Sequence, residues 1–169
     1  QMDSQNHTLF CKNCGKTWEM NEYGELISTS GESVFTHIPD WYEWERENVR
    51  NEILSGNYHL ESKVEIRSLP NSKGFVNLGT GTLTHNMDGF TLQGDYSEKN
   101  QKGQPFVEHW PAKSRYSCHI EYQYLKKYGD CVDLNTLQDT YYLFPEAKEY
   151  SVTKVALATE ELYNFLTRE

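Results

Sequence analysis

The stretch Thr36-His-Ile-Pro-Asp-Trp-Tyr-Glu-Trp-Glu-Arg-Glu-Asn-Val-Arg-Asn-Glu-Ile-Leu-Ser-Gly56 separates two parts of the chain that differ in character. Asp40 is a favourable N-cap residue, and Glu43 three positions later completes a capping box that satisfies amides at the start of a helix. Gly56 lies where many helices end on a residue of positive φ. The stretch therefore predicts a helix of about four turns.

One side of this predicted helix is apolar. Trp41, Tyr42, Val49 and Ile53 recur on it at helical spacing. Two Trp and one Tyr within four residues carry more apolar area than an exposed linker would leave in water. We expect the helix to be a strut between a small module and a larger body.

The length of the chain supports this organisation, because 169 residues suffice for one well-buried domain and a small appendage. We predict a zinc-ribbon-like N-terminal module at 1–36, the connecting helix at 37–56 and a β-rich body at 57–169. Alternation of apolar and charged residues begins at Tyr58 and is typical of a half-buried antiparallel strand. Further strand patterns follow at 75–78, 82–85, 90–93, 106–110, 116–124, 131–134 and 141–144, with a bend expected at Gly79–Gly81.

The chain closes with an amphipathic helix that has Ser151 as its expected N-cap. The predicted fold class is therefore α+β, mainly β. About seven antiparallel strands with one C-terminal helix are typical of a pleckstrin-homology-like barrel, in which the helix covers an open end. The alternative is a strongly bent open sheet with the helix across one face.

The segment Cys11-Lys-Asn-Cys14-Gly15 is half of a zinc-ribbon motif, since two thiolates at this spacing can face one metal ion. Reduced structural cysteines left from such a ribbon are the alternative. A redox dithiol fits less well, because the following Thr17 and Trp18 favour a strand over the helix that normally lowers the thiol pKa in such motifs. A closed zinc site needs further ligands, for which the candidates are His7, His37, Cys118, Cys131 or a pair upstream of the sequence.

The charge and hydropathy of the chain disfavour several classes of partner. A net charge of −9 argues against nucleic-acid binding, which requires clustered Lys and Arg. No run of eighteen apolar residues indicates a transmembrane helix, and no signal peptide is recognisable. Four cysteines without dense even spacing favour a reducing compartment, so we expect a cytoplasmic protein.

No catalytic constellation stands out in the sequence. His119 and Cys118 are neighbours on a predicted strand and point to opposite faces, so they cannot share a site. The paired carboxylates Glu160 and Glu161, and Asp133 with Asp139, are expected on solvated faces. A ligand surface is expected instead from four tyrosines near the end of the β body, although core packing would explain them as well; they are Tyr122, Tyr124, Tyr141 and Tyr142.

Long phrases across nearly the whole chain resemble the C-terminal extension of bacterial, chiefly Firmicutes, 1-acyl-sn-glycerol-3-phosphate acyltransferases. The phrases are Cys11–Gly15, Thr36–Arg50, Gly81–His85, Cys118–Tyr122, Gly129–Thr136 and Val152–Tyr163.

The resemblance implies that an upstream domain of the parent protein carries out the chemistry. That domain has a His-x4-Asp motif, in which Asp orients His to deprotonate the glycerol hydroxyl that attacks an acyl thioester. None of the six histidines here has Asp five positions later, so only Cys11 and Cys14 carry over as a site. The implied function is a non-catalytic accessory domain that binds the acyltransferase domain, a protein partner or a lipid-related ligand. The parent protein would place this domain at the inner face of the membrane. An independent ligand-binding barrel or enzyme is the alternative.

Overall fold

The computed structural model gives the fold of most of the chain. The predicted turns at 70–74 and 137–139 and the predicted polar loop at 94–104 include residues outside the described part. Within that part, no helix is long and apolar enough to cross a membrane. The described residues are 2–70, 74–97, 103–124, 128–137, 139–147 and 149–167.

The chain divides into two compact units, Gln1–Asn48 and Val49–Glu169. The first unit contains a four-stranded antiparallel sheet in which each strand pairs with the next along the chain. Its strands are β1 (Met2–Gln5), β2 (Thr8–Cys11), β3 (Thr17–Met20) and β4 (Leu26–Ser28).

Aromatic rings pack together within the first unit. The Trp41 ring lies 5.3 Å from Trp18 in an edge-to-face arrangement and 5.3 Å from Phe35 in a stacked one. The Trp44 ring adds a contact to Phe35 at 5.5 Å. These contacts cover part of the apolar area at the start of the helix, but Tyr42 and Trp44 remain 38% and 52% exposed, against the expectation that this area is covered.

Helix α1 (Ile38–Leu54) begins two residues before the predicted N-cap, so the assignment of that role to Asp40 was wrong. Pro39 is compatible with the first turn because its missing N–H would have no partner within the helix. The predicted end is confirmed: Gly56 has φ +71°, and the N–H groups of Gly56 and Asn57 donate to carbonyls of the last turn.

The second unit is built on one seven-stranded antiparallel sheet. The order of its strands is β8-β7-β6-β5-β11-β10-β9. The strands are β5 (His59–Ser68), β6 (Val76–Asn86), β7 (Gly89–Tyr96), β8 (Pro105–Pro111), β9 (His119–Glu121), β10 (Cys131–Asn135) and β11 (Thr140–Pro145).

The sheet is open, so the barrel expectation was wrong and the open-sheet alternative is correct. β11 pairs with β5, which leaves β8 and β9 at opposite edges. β9 has only three residues, and β8 begins at Pro105 and ends at Pro111. Proline lacks the N–H that strand pairing needs, and short strands of this kind are usual at sheet edges.

The bend predicted at Gly79–Gly81 was also wrong, because both glycines lie inside β6. Gly81 faces Gly94 of β7 in the register, and a Cβ on Gly81 would lie 2.5 Å from the Gln93 carbonyl oxygen. Glycine here permits a close approach of two strands. The predicted hairpin is confirmed, with Met87 and Asp88 in the turn between β6 and β7.

A 3-10 turn (Ala112–Ser114) follows β8, and helix α2 (Val152–Thr167) follows β11. The predicted N-cap is confirmed, because the Lys154 N–H donates to Ser151 Oγ at 3.2 Å. We call the sheet face that shares a core with Val152 and Val155 the inner face. Its buried strand residues are Val64, Ile66, Leu83, Phe90, Leu92, Trp110, Val132, Leu134, Tyr141 and Leu143.

A second core joins the two helices of this unit. Val49 and Ile53 of α1 pack with Leu157 and Leu162 of α2. Beside this core, the Arg50 guanidinium makes two hydrogen bonds to the Glu161 carboxylate, at 2.9 and 3.2 Å. The expectation that Glu161 lies on a solvated face was wrong, because its side chain is only 6% exposed. The bidentate pair with Arg50 neutralises this buried charge.

We expect Glu161→Ala to lower the free energy of unfolding by roughly 2 kcal/mol, since it removes one partner of a largely buried pair. Glu149→Ala, a change at an exposed carboxylate, is the control and should change stability by under about 0.5 kcal/mol. Urea denaturation measures both values. Equal stability of the two variants would contradict a structural role for the ion pair.

Candidate functional site

The predicted metal-binding cysteines lie in the tight connection between β2 and β3. The Cys11 N–H donates to the Lys16 carbonyl at 2.8 Å, and the Gly15 N–H donates to the Cys11 carbonyl at 2.9 Å. Gly15 has φ +73°, a conformation that glycine adopts without strain. The sequence thus forms the knuckle that its Cys-x-x-Cys-Gly pattern predicts.

The knuckle backbone stabilises a thiolate at Cys11. Hydrogen bonds from the backbone N–H groups of Cys14 and Asn13 lower the pKa of Cys11 to about 7. A thiolate is the form that binds metal ions. Within the described ranges, the one group of three close His, Cys, Asp or Glu ligand atoms does not include Cys11, Cys14, His7 or His37.

The four predicted ligand-binding tyrosines do not form one surface. The strand predicted at 116–124 is reduced to His119–Glu121, because Gln123 has φ +43° and its N–H donates to Asp130 Oδ1 at 2.9 Å. The Tyr122 hydroxyl instead lies 2.6 Å from Thr153 Oγ1 on α2. Tyr141 is buried in the inner-face core.

Tyr124 and Tyr142 do come together, with centroids 5.8 Å apart. They belong to a larger aromatic group on the opposite, outer face of the sheet. Phe75 is at its centre, with centroids 4.9 to 5.9 Å from those of the four other rings. We call this group the ring cluster; it consists of Phe75, Tyr124, Tyr128, Tyr142 and Phe144.

A cation lies against the ring cluster. The Arg67 guanidinium is 4.6 Å from the Tyr128 ring centroid and 5.3 Å from that of Phe144. Arg67 Nη2 donates to Glu65 Oε2 at 2.8 Å, whereas its buried Nε has no hydrogen-bond partner among the described residues. The cluster therefore combines half-buried rings with a positive group.

A polar group borders the ring cluster at the β9 edge. His119 Nε2 lies 3.1 Å from Glu121 Oε1, and one ligand atom each from His119, Glu121 and Asp133 lie within 4.8 Å of one another. We call these three residues the edge triad. Asp133 is opposite His119 in β9 and opposite Tyr142 in β11, so the triad and the ring cluster adjoin.

Asp133 was expected on a solvated face, and this expectation was wrong. It is only 8% exposed, because β10 is buried on both faces of the sheet. Burial raises the pKa of its carboxyl group despite the thiol of Cys131, which donates to Asp133 Oδ1 at 3.4 Å. No pattern in the sequence marks this burial, which depends on the pairing of β10 with both β9 and β11.

Three further reactive side chains of this unit, Cys118, Cys131 and His85, are buried. Burial raises the pKa of Cys118 to about 12 and raises that of Cys131 as well, so both thiols are protonated at neutral pH. Burial lowers the pKa of His85 to about 3, and its Nδ1 is 2.8 Å from the Tyr58 hydroxyl. These groups stabilise the interior as neutral species.

Comparison with models of known protein families and with curated proteins finds no match to this chain. The outer face of the sheet is therefore the basis of the functional proposal. Its two features are the ring cluster with Arg67 and the edge triad at its border.

We expect iodoacetamide to modify Cys11 with a rate that rises between about pH 6 and pH 8, as its thiol loses its proton. Cys118 and Cys131 of the same folded protein are the internal control and should react at least about a hundredfold more slowly, since they are buried and protonated. Mass spectrometry of peptides measures each rate. Modification of Cys131 as fast as Cys11 would contradict this assignment.

Proposed function

We propose that this chain is a non-catalytic, ligand-binding accessory domain of a phospholipid-synthesis acyltransferase, in which another part of the polypeptide transfers the acyl group to 1-acyl-glycerol-3-phosphate. The ring cluster is the observation that supports a binding role most strongly. The sequence resemblance described above supports the identity of the parent protein. A lipid-related molecule with one acyl chain is the ligand class we propose.

The chemistry of the ring cluster suits an amphipathic ligand. Tyr124, Tyr128 and Tyr142 are half-buried, so each keeps part of its ring in water. Covering apolar area contributes about 25 cal/mol per Å², which favours an acyl chain lying on these rings. The Arg67 guanidinium lies against the Tyr128 ring and is paired with Glu65, so an anionic head group would compete with the Glu65 carboxylate for it.

The state of the potential nucleophiles supports an accessory role. The Cys118 and Cys131 thiols are protonated and buried. His85 is a weak base, and its ring stacks on Phe90 at 3.8 Å. Each of these side chains packs in the interior, whereas the ring cluster and the edge triad lie on the outer face of the sheet.

We also propose that Cys11 and Cys14 bind a structural zinc ion together with ligands from outside this pair. The lowered pKa of Cys11 supports this, because zinc requires thiolates. The exposure of Cys14 leaves room for a further ligand. In this role the ion would fix the knuckle and take no part in a reaction.

Titration of the chain with a monoacyl glycerophosphate, kept below its micelle-forming concentration and followed by NMR, tests the binding role. We expect Tyr142→Ala and Tyr124→Ala each to weaken binding at least about tenfold, as expected for aromatic anchors of an interface. Tyr23→Ala removes a tyrosine that is 79% exposed in the first unit and should have no effect.

Equal affinity of all three variants would refute the ring cluster as the binding surface. A separate assay for acyl transfer from a thioester to the same lipid tests the accessory role. Turnover by this chain alone would contradict that role and would favour an independent enzyme. Thermal unfolding of each variant verifies that the variants are folded under the conditions of the titration.

A further inference from the structure

We propose that the edge triad, His119, Glu121 and Asp133, binds one divalent transition-metal ion, and that this ion is zinc. The inference is separate from the zinc proposed at the knuckle and does not depend on lipid binding. It rests on the backbone register of β9 and β10, the donor types and the burial of Asp133.

Strand geometry brings the three donors together. His119 and Glu121 are two positions apart on β9, so their side chains point to the same face. Asp133 pairs directly with His119 across β9 and β10, which places its side chain beside theirs. The backbone therefore fixes the triad without any contribution from a loop.

The distances are close to those of a coordination shell. Zinc bonds of about 2.0–2.2 Å in a tetrahedron place neighbouring ligand atoms about 3.3–3.6 Å apart. His119 Nε2 and Glu121 Oε1 are already 3.1 Å apart, and the ligand atom of Asp133 lies within 4.8 Å of both. A rotation that brings the Asp133 carboxylate closer to the other two donors would complete a three-ligand site in this proposal.

An independent observation is that the Asp133 carboxylate lacks a strong partner. The residue is 8% exposed, and within the described residues its side chain accepts only the weak hydrogen bond from the Cys131 thiol. Lys and Arg side chains in the described ranges form no salt bridge with it. A buried carboxyl group either takes up a proton or binds a cation, and the donors of His119 and Glu121 beside Asp133 favour a bound cation in this proposal.

The donor set favours zinc over magnesium or calcium. Both of those ions prefer shells of oxygen atoms, whereas an imidazole nitrogen with two carboxylates suits first-row transition metals. The His119 side chain is 71% exposed and that of Glu121 is 36% exposed, so the ion has an entry path. Three protein ligands leave a fourth coordination position of the zinc ion open to water or to an anionic ligand.

The competing explanation is a simple ion pair between protonated His119 and Glu121, with Asp133 neutral. The two explanations differ in what added zinc does. An ion pair gives no specific zinc binding, whereas the proposed site takes up one ion and loses it when a donor is removed.

The test uses untagged protein with Cys11→Ser and Cys14→Ser as background, so that the knuckle cannot bind zinc. Isothermal titration calorimetry with zinc should give about one equivalent bound. Adding His119→Gln or Asp133→Asn should weaken binding at least about tenfold. His109→Gln is the matched control, because His109 is also an exposed histidine on a strand of the same sheet, and it should leave the affinity unchanged.

His119→Gln alters an exposed side chain and should fold normally, so the proposal stays testable even if Asp133→Asn unfolds the protein. Cobalt(II) substitution gives a second readout. Nitrogen and oxygen donors produce weak visible bands without an intense thiolate charge-transfer band in the near ultraviolet. Absence of zinc binding in the background protein, unchanged affinity of His119→Gln, or an intense thiolate band would each overturn the proposal.

Discussion

The pairing of β11 with β5 is the constraint on which the second unit depends. It joins two groups of neighbouring strands, β5–β8 and β9–β11, into one sheet. The register places Leu143 beside Ile66 on the inner face and Tyr142 beside Arg67 on the outer face. A shift of one residue would exchange these faces, since side chains alternate along a strand. Burial of the inner face against α2 therefore also determines which side chains remain accessible.

The inner side of the sheet holds neutral, buried groups, and the outer side holds the exposed charged ones together with the buried Asp133. On the inner side, His85 is neutral at physiological pH and the Cys118 thiol is protonated. On the outer side, the ring cluster and the edge triad share one border through the pairing of Asp133 with Tyr142. An apolar surface beside carboxylate and imidazole donors suits ligand binding, and a metal ion there would add a Lewis acid to the same surface. The proposed lipid ligand and the proposed zinc ion could thus meet at one place.

Much of this fold could be predicted from local patterns, because local patterns decide most of its elements. The alternation in β5, the hairpin residues before Gly89, and the helix signals Ser151 and Gly56 all gave correct assignments. Long-range pairing decided the barrel error, whereas the N-cap assigned to Asp40 and the turn at Gln123 were missed at the local level. The alternating pattern of a strand does not show whether its sheet closes into a barrel. The alternating tyrosines of 116–124 likewise do not reveal the turn in which Gln123 adopts positive φ.

The candidate site was harder to predict than the fold for the same reason. Two of the four predicted tyrosines, Tyr124 and Tyr142, lie in one cluster, whereas its central ring, Phe75, was predicted only as the first residue of a strand at 75–78. The edge triad depends on the pairing of β9 with β10, which only the fold reveals.

The central claim is that the accessible chemistry of the second unit lies on the outer face of the sheet. Hydroxyl-radical footprinting with mass spectrometry measures this for individual side chains. The account predicts strong labelling of His119 and appreciable labelling of Tyr142, with Tyr58 and His85 protected until the protein unfolds. Labelling of His85 and Tyr58 at the rate of His119 in the folded protein would contradict the account.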